Sequence, residues 1–252
     1  NTPPGKDFVK RQVEGFEFAN GLEIGIGRLE GSLYGNLVIR DLELRDPEGV
    51  FVTAERLTLD WRPFAFIGNR LDIRSLSSPE LVLERLPEFA ETPPDDVPLL
   101  PSFDIAIDRL VIDRIVVEEA VAGTRRVLAL KGEALVEEGR AKIAADLSSL
   151  PVEDAPGEAQ AGDRLALLLD AVPEENRLDL ELDLAAPEDG VIAALVGLSQ
   201  PLSAELTGEG DWARWDGRFV ADLAGEDLAR LDLAARDGRF AIEGTARAAR
   251  LF

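Results

Sequence analysis

Forty-nine of the 252 residues are Asp or Glu, and the chain has neither His nor Cys. Without His, Ser-His-Asp triads, the imidazole proton shuttle and the commonest metal ligand are excluded. Without Cys, disulfides and thiolate chemistry are excluded as well. Carboxylates could still bind metal or work as acid–base pairs. Asp179, Glu181 and Asp183 alternate as calcium ligands do, but leucines separate them and no glycine follows where an EF-hand loop would turn. The wet side of a half-buried strand accounts for them. Acid pairs suited to glycoside hydrolysis arise by chance when acids are this frequent. Trp212 and Trp215 could stack on a sugar, but fit a core or sheet-end anchor better. In "GIGRLEG", Gly25, Gly27 and Gly31 place the third glycine one position late for G-x-G-x-x-G, and no strand–helix–strand unit follows. Glycine in twisted strands explains them. No catalytic residue, metal ligand or cofactor site is assigned.

The formal net charge is −22. A surface this acidic repels phosphate backbones, so a nucleic-acid partner is excluded. No stretch reaches the roughly 20 apolar residues of a membrane span. The chain also lacks Met, even at position 1, which suggests a processed chain or a piece of a longer one. Any membrane anchor is expected outside these residues.

The elements that would position a site are mostly strands. Residues 1–20 suggest a short N-terminal helix, with Phe8, Val9, Val13 and Phe16 at helical spacing. From Gly21 the period becomes two, and strand-like segments separated by tight turns run to residue 86. Residues 87–101, "PEFAETPPDDVPLLP", hold five prolines and four acids and read as a linker or long surface loop. Strands resume over 102–252, interrupted near 189–198 by a short helix with Val191, Ile192, Leu195 and Leu198 on one face. In total nearly fourteen strands are expected. Such an antiparallel all-β meander can close as a barrel, pair as a sandwich, or run open as a long curved sheet.

The alternation assigns apolar residues to one face. In the first segment these are Leu57, Leu59, Leu71, Ile73, Leu81 and Leu83. In the second they begin with Ile105, Ile107, Ile112, Leu128, Leu130, Ile143, Leu165 and Leu167. Leu178, Leu180, Leu182 and Leu184 follow, then Leu195, Phe219 and Ile242. The acids between them, such as Asp60, Asp179, Glu181 and Asp183, should take the opposite, convex and wet side. Either the sheet closes on a dry interior, or the aliphatic face stays open as a trough suited to acyl chains.

The segment from Asp189 to Gly225 resembles the TamB family of the AsmA-like group, the inner-membrane-anchored translocation and assembly module proteins of Gram-negative bacteria. The matching residues are Gly190, Leu195, Gly197 and Leu198, then Pro201, Leu202, Gly208 and Gly210, then Trp215, Asp216 and Gly217. "NTPPG", "LEIGIGRLEGSLYGNLVIRDLEL", "AERLTLDWRP" and "IDRLVIDRIVVEE" resemble the stretch that follows that family's N-terminal anchor. The resemblance implies a periplasmic β-taco, an open U-shaped groove that carries phospholipid between the inner and outer membranes. It also implies an inner-membrane anchor, and an outer-membrane TamA-type barrel as partner through a more C-terminal region. No enzyme activity is expected. The alternatives are a structural adaptor for outer-membrane protein assembly and a sugar-active hydrolase on an all-β scaffold.

Overall fold

In a computed structural model, the described residues are 2, 6, 7, 10, 11, 14, 21–88, 104–137, 140–150, 162–172, 177–195, 197–211, 213–236 and 239–247. The strands are β1 (Glu23–Gly31), β2 (Asn36–Asp46), β3 (Gly49–Trp61), β4 (Arg70–Ser78), β5 (Leu81–Leu83), β6 (Asp104–Val117) and β7 (Arg126–Glu137). They continue as β8 (Arg140–Ser149), β9 (Arg164–Val172), β10 (Arg177–Ala186), β11 (Leu202–Gly210), β12 (Arg214–Leu223), β13 (Glu226–Arg236) and β14 (Arg239–Ala246). Among the described residues, the short helices α1 (Glu119–Ala122) and α2 (Val191–Leu195) and a 3-10 turn over Pro63–Gly68 interrupt them, and Lys6, Asp7, Lys10, Arg11 and Glu14 are helical, as expected of the N-terminal segment. Hydrogen bonding orders the strands β1-β2-β3-β4-β6-β7 and on to β14 in sequence, with β5 beside β3 and β6. The expected all-β sheet is therefore what forms, and most of its pairs are antiparallel as expected. By contacts the chain divides into two compact units, 1–130 and 131–252. Phe8, Val9, Val13, Phe16 and most of 87–101 lie outside the described residues.

In the first unit, β6 runs parallel to β4 and β5, against an all-antiparallel expectation. Parallel neighbours need a crossover of a dozen or more residues. The connection between Leu83 and Asp104 supplies that length, so the proline-rich stretch lies within a crossover. Its start is tied down at the β2–β3 turn. The Asp46 carboxylate, buried, accepts from both terminal nitrogens of Arg85, one at 2.8 Å, and from the Glu48 N–H at 2.9 Å. Arg85 also donates to the Gly49 carbonyl at 2.8 Å. The Arg85 guanidinium, helped by the Glu88 and Glu48 N–H groups, holds the Asp46 carboxyl well below the usual carboxylate range.

A shared irregularity crosses β1, β2 and β3. Their apolar residues step by two, then once by three: Ile26 to Leu29, Ile39 to Leu42, Ala54 to Leu57. Strict alternation would put the halves of each strand on opposite faces. The register passes over Gly27, Asp41 and Glu55 together, pairing Ile26 with Leu42 and Leu42 with Ala54 on one side of the break. Asp41 takes φ 51°, and a Cβ on Gly27 would lie 2.8 Å from the Asp41 Cβ. One residue per strand is absorbed at the same level. Ile26, Leu29 and Leu37 consequently share one buried cluster, with Ile24, Ile39, Leu42 and Leu59 packed on it. On the β1 edge, Glu14 accepts the Ile26 N–H at 2.9 Å and the Lys10 ammonium donates to the Gly27 carbonyl at 2.9 Å.

In the second unit, α2 falls where the sequence places a helix. Its start is capped from a distant strand. The Asp163 carboxylate, 1% exposed, accepts the N–H groups of Val191 at 2.8 Å and Ile192 at 3.1 Å and the Ser149 hydroxyl at 3.0 Å. These donors compensate the desolvated charge. The helix ends on Gly197 at φ 70°, with Leu198 N–H on the Ala193 carbonyl and Gly197 N–H on the Ala194 carbonyl, a Schellman arrangement. Val191 and Ala193 are its buried residues, whereas Leu195 is 43% exposed. Of the expected face, Val191 is thus buried and Ile192 and Leu198 are half-buried, while Leu195 is turned outward.

Asp163→Ala removes an acceptor and strands buried N–H groups, so it should cost about 1–3 kcal/mol in urea unfolding. Asp163→Asn should recover part of the loss. Asp46, with its folded pKa lowered, contributes stability in full above about pH 4, the ordinary carboxylate value. That contribution fades as pH falls toward the lowered folded value. Acid titration of unfolding should therefore be less steep below pH ~4 for Asp46→Asn than for the parent.

Candidate functional site

Register across the second unit turns the leucine alternation into continuous apolar rows. One row crosses seven strands from Ala145 through Leu167, Leu182, Leu206, Phe219 and Leu231 to Gly244. The row on one side runs Leu147, Leu165, Leu184, Ala204, Ala221, Ala229, Ala246, and the row on the other runs Ile143, Leu169, Leu180, Gly208, Gly217, Leu233, Ile242. Directly opposed residues of an antiparallel pair share a face, so all three rows lie on one side of the sheet. The alanines 204, 221 and 229 are buried, with Leu184, Phe219, Leu228 and Leu231 packed around them. Every Leu and Phe in the rows is only half-buried, and Ile242 is 67% exposed. In a sandwich, the inner faces of two sheets would bury such residues against each other.

The expected residues of this unit thus come together: Leu165 with Leu184, Leu167 with Leu182 and Phe219, Ile143 with Leu180 and Ile242. Leu178 pairs with Ala171 at the rim. Leu147, Leu169, Leu206, Leu231 and Leu233 also belong to the rows but were not singled out from sequence. "RLALLLD" has no readable phase, because three leucines run together. The pairing resolves it: Leu167 and Leu169 share the apolar face, and Leu168, 52% exposed, takes the other.

In the first unit, Leu57 and Leu59 pair with Ile39 and Leu37, Leu71 with Ile105, and Ile73 with Trp61 and Ile107. Leu81 lies beside Ile115, and Leu83 beside Val52 and Val117. Here several members are closed off. Ile73 and Ile112 are buried, and Ile112 is only 5% exposed. In β7, Leu128 is also buried while Leu130 is half-buried. Leu57, Leu59, Leu71, Leu81, Leu83, Ile105 and Ile107 are half-buried like the leucines of the second unit; the second unit differs in that its half-buried residues form three unbroken rows.

The opposite face of the second unit is charged. Glu181, Thr207, Arg218, Asp232 and Glu243 form one cross-strand row there. Arg177 pairs with Asp170 at 2.9 Å, Lys142 with Asp170 at 3.4 Å and Arg218 with Asp232 at 3.2 Å. The acids do take the wet side, but that side is not convex throughout. It lines an open hollow of about 900 Å³ bordered by Asp179, Glu181, Glu209, Asp216, Arg218 and Asp232. A twisted sheet is saddle-shaped, so each face is hollow along one diagonal. Among the described residues no group of three or more acids is placed to hold a metal ion, and no helix is long and apolar enough to cross a membrane.

The glycines and tryptophan that carry the family resemblance prove to be one packing unit. Trp215 lies over Gly208 and Gly217: a Cβ on Gly208 would sit 1.8 Å from the indole Cζ2, and one on Gly217 2.4 Å from Cη2. The ring covers the gap those two glycines leave in the row of Leu180 and Leu233. Gly210, at φ 145°, brings its Cα against the Arg214 carbonyl, where a Cβ would be 2.4 Å away. Asp211 then accepts the Ala213 and Arg214 N–H groups to close the hairpin. Trp212 lies outside the described residues.

A family model described as "YdbH-like: Intermembrane phospholipid transport protein YdbH" matches residues 15–251. No curated protein and no solved structure matches the chain.

Gly208→Ala should push the Trp215 indole off the sheet. The expected result is a destabilisation of about 1–3 kcal/mol and a red-shifted tryptophan emission, measured against a Trp215→Phe background.

Proposed function

The chain belongs to the YdbH-like family of intermembrane phospholipid transport proteins, a family related to the AsmA-like bridge-type lipid transporters rather than a match to TamB itself, and from that premise we propose that its open apolar sheet face carries phospholipid acyl chains. The observation that supports this is the set of three apolar rows crossing β8 to β14 with their leucines half-buried. A contiguous apolar surface of that extent in an acidic, water-soluble sheet marks a binding face.

The mechanism is passive. Each methylene laid on the rows gains about 0.8 kcal/mol by leaving water. Successive rungs, about 4.8 Å apart, offer nearly the same aliphatic surface. A chain moving from strand to strand exchanges one leucine contact for the next and meets no deep trap. The zwitterionic or anionic head group stays in water at the rim. No residue forms or breaks a bond, so the reading assigns no catalytic group and no cofactor. Periplasm is the compartment it assigns, with phospholipid as the partner. An inner-membrane anchor and a TamA-type barrel belong to the TamB resemblance, and the reading does not require them.

Native mass spectrometry of the purified chain should show co-purified phospholipid. Leu182→Asp and Leu206→Asp place a carboxylate in the middle row, where an acyl chain would have to desolvate it at a cost of several kcal/mol. Bound lipid should then fall by more than about tenfold, with the β-sheet circular dichroism retained. Ile112→Asp, at a buried position, should unfold the first unit instead. A parent chain that carries no phospholipid after extraction from a lipid-rich lysate would sink the reading.

A further inference from the structure

We infer that the paired tips of the β1–β2 hairpin and the β3–β4 turn form a membrane-contact wedge that inserts into the interfacial layer of a phospholipid bilayer. This goes beyond the acyl-chain reading and does not rest on it, since the tips are in the first unit and the open rows are in the second.

The tips are apolar where turns are ordinarily polar. Tyr34 is 62% exposed, Phe64 69% and Ile67 85%. The rings of Tyr34 and Phe64 stack at a centroid distance of 5.9 Å and an interplanar angle of 15°, joining the two turns into one projection. Both turns are held by their own backbone. Ser32 N–H donates to the Asn36 carbonyl at 2.7 Å, Ala65 N–H to the Arg62 carbonyl at 3.0 Å, and Arg62 N–H to the Asp72 carbonyl at 2.8 Å. Leu33, next to Tyr34 in the hairpin, turns inward onto the Ile26–Leu29–Leu37 cluster. The exposed side chains are thus presented by an ordered frame.

The two tips carry no acid. Acids make up 49 of 252 residues, yet Gly31–Arg40 and Trp61–Leu71 contain none. Their charged residues are Arg40, Arg62 and Arg70, and Arg62, paired with Asp72 at 2.6 Å, keeps its side chain 48% exposed. An acid-free tip can approach phosphate head groups that the acidic faces of the chain would repel. A tyrosine hydroxyl beside apolar side chains suits the boundary between head groups and acyl chains.

Size argues against a second copy of the chain as occupant. Three such side chains expose on the order of 400 Å², about half of the roughly 800 Å² per partner that a stable protein interface buries. A wedge of that size is sufficient for reversible interfacial binding, which scales with the apolar area inserted.

The test is flotation of the 252-residue chain with vesicles of phosphatidylethanolamine and phosphatidylglycerol. The parent should float with the vesicles. Tyr34→Ser/Phe64→Ser/Ile67→Ser should float at least about tenfold less, while Leu168→Ser, which alters an exposed apolar side chain on the other face of β9, should float as the parent does. Phe64→Trp should give a blue-shifted emission on adding vesicles, quenched by brominated acyl chains. This second readout stands even if the triple variant misfolds. Leu182→Asp should float normally while losing carried lipid, which separates this inference from the transport reading. A parent that stays at the bottom of the gradient, a triple variant that floats undiminished, or an emission from the Phe64→Trp variant that brominated chains leave unquenched overturns the wedge. So does light scattering that shows a patch-dependent dimer.

Discussion

A sheet with one apolar face must cover that face with something, because each exposed leucine forgoes about 1.5–3 kcal/mol of burial. Most all-β proteins cover it with a second sheet or by closing into a barrel. Among the described residues of the second unit neither is seen. Its strands follow one another in order from β8 to β14, and the leucines of three successive rows remain half-buried. The arrangement is stable because its smallest members do the closing. Ala204, Ala221 and Ala229 are buried by their neighbours, and Trp215 lies flat over two glycines. The sheet covers part of its own face and leaves a band of half-buried aliphatic side chains.

Keeping that band on one side requires every strand to hold its phase. The first unit shows how costly a slip is and how it is repaired. β1, β2 and β3 each carry one surplus residue, and the three surplus positions, Gly27, Asp41 and Glu55, fall at one level of the register. A slip in a single strand would invert half of its side chains. Three matched slips shift the pleat together and return Leu29, Ile39 and Leu57 to the face of Ile26, Leu42 and Ala54. Glycine at 27 is required by the approach of Asp41, and Asp41 accepts a left-handed backbone that a short polar side chain tolerates.

Much of this was legible in the sequence. The period-two alternation located the strands, and the glycine-bounded run after Asp189 located α2. The face of Leu178, Leu180, Leu182 and Leu184 was readable because nothing interrupts their phase. The rest depends on partners distant in sequence. Nothing local to Asp163 says that its carboxylate will cap a helix 28 residues later. The parallel placement of β6 was hidden because β6 alternates like its antiparallel neighbours, and the proline-rich crossover before it looks like a linker. The phase of "LALLL" could be fixed only by its pairing with β10. The glycine and tryptophan motif was recognised as a resemblance, but its reason, a ring that needs two missing side chains beneath it, is a cross-strand fact.

The charge of −22 follows from the same geometry. An open apolar face favours association with any other apolar face, including that of another copy. Acids on the reverse side make the close approach of two chains costly without touching the apolar rows. The edges are treated differently from the faces. On β1, Glu14 and Lys10 occupy backbone groups of Ile26 and Gly27, which blunts that edge against strand addition. On β14, the residues with a described side chain are exposed, and Arg239, Glu243 and the following Arg247 place charge beside Ile242 and the aliphatic rows. Charge is thus confined to one face and to the two edges, and the other face remains aliphatic.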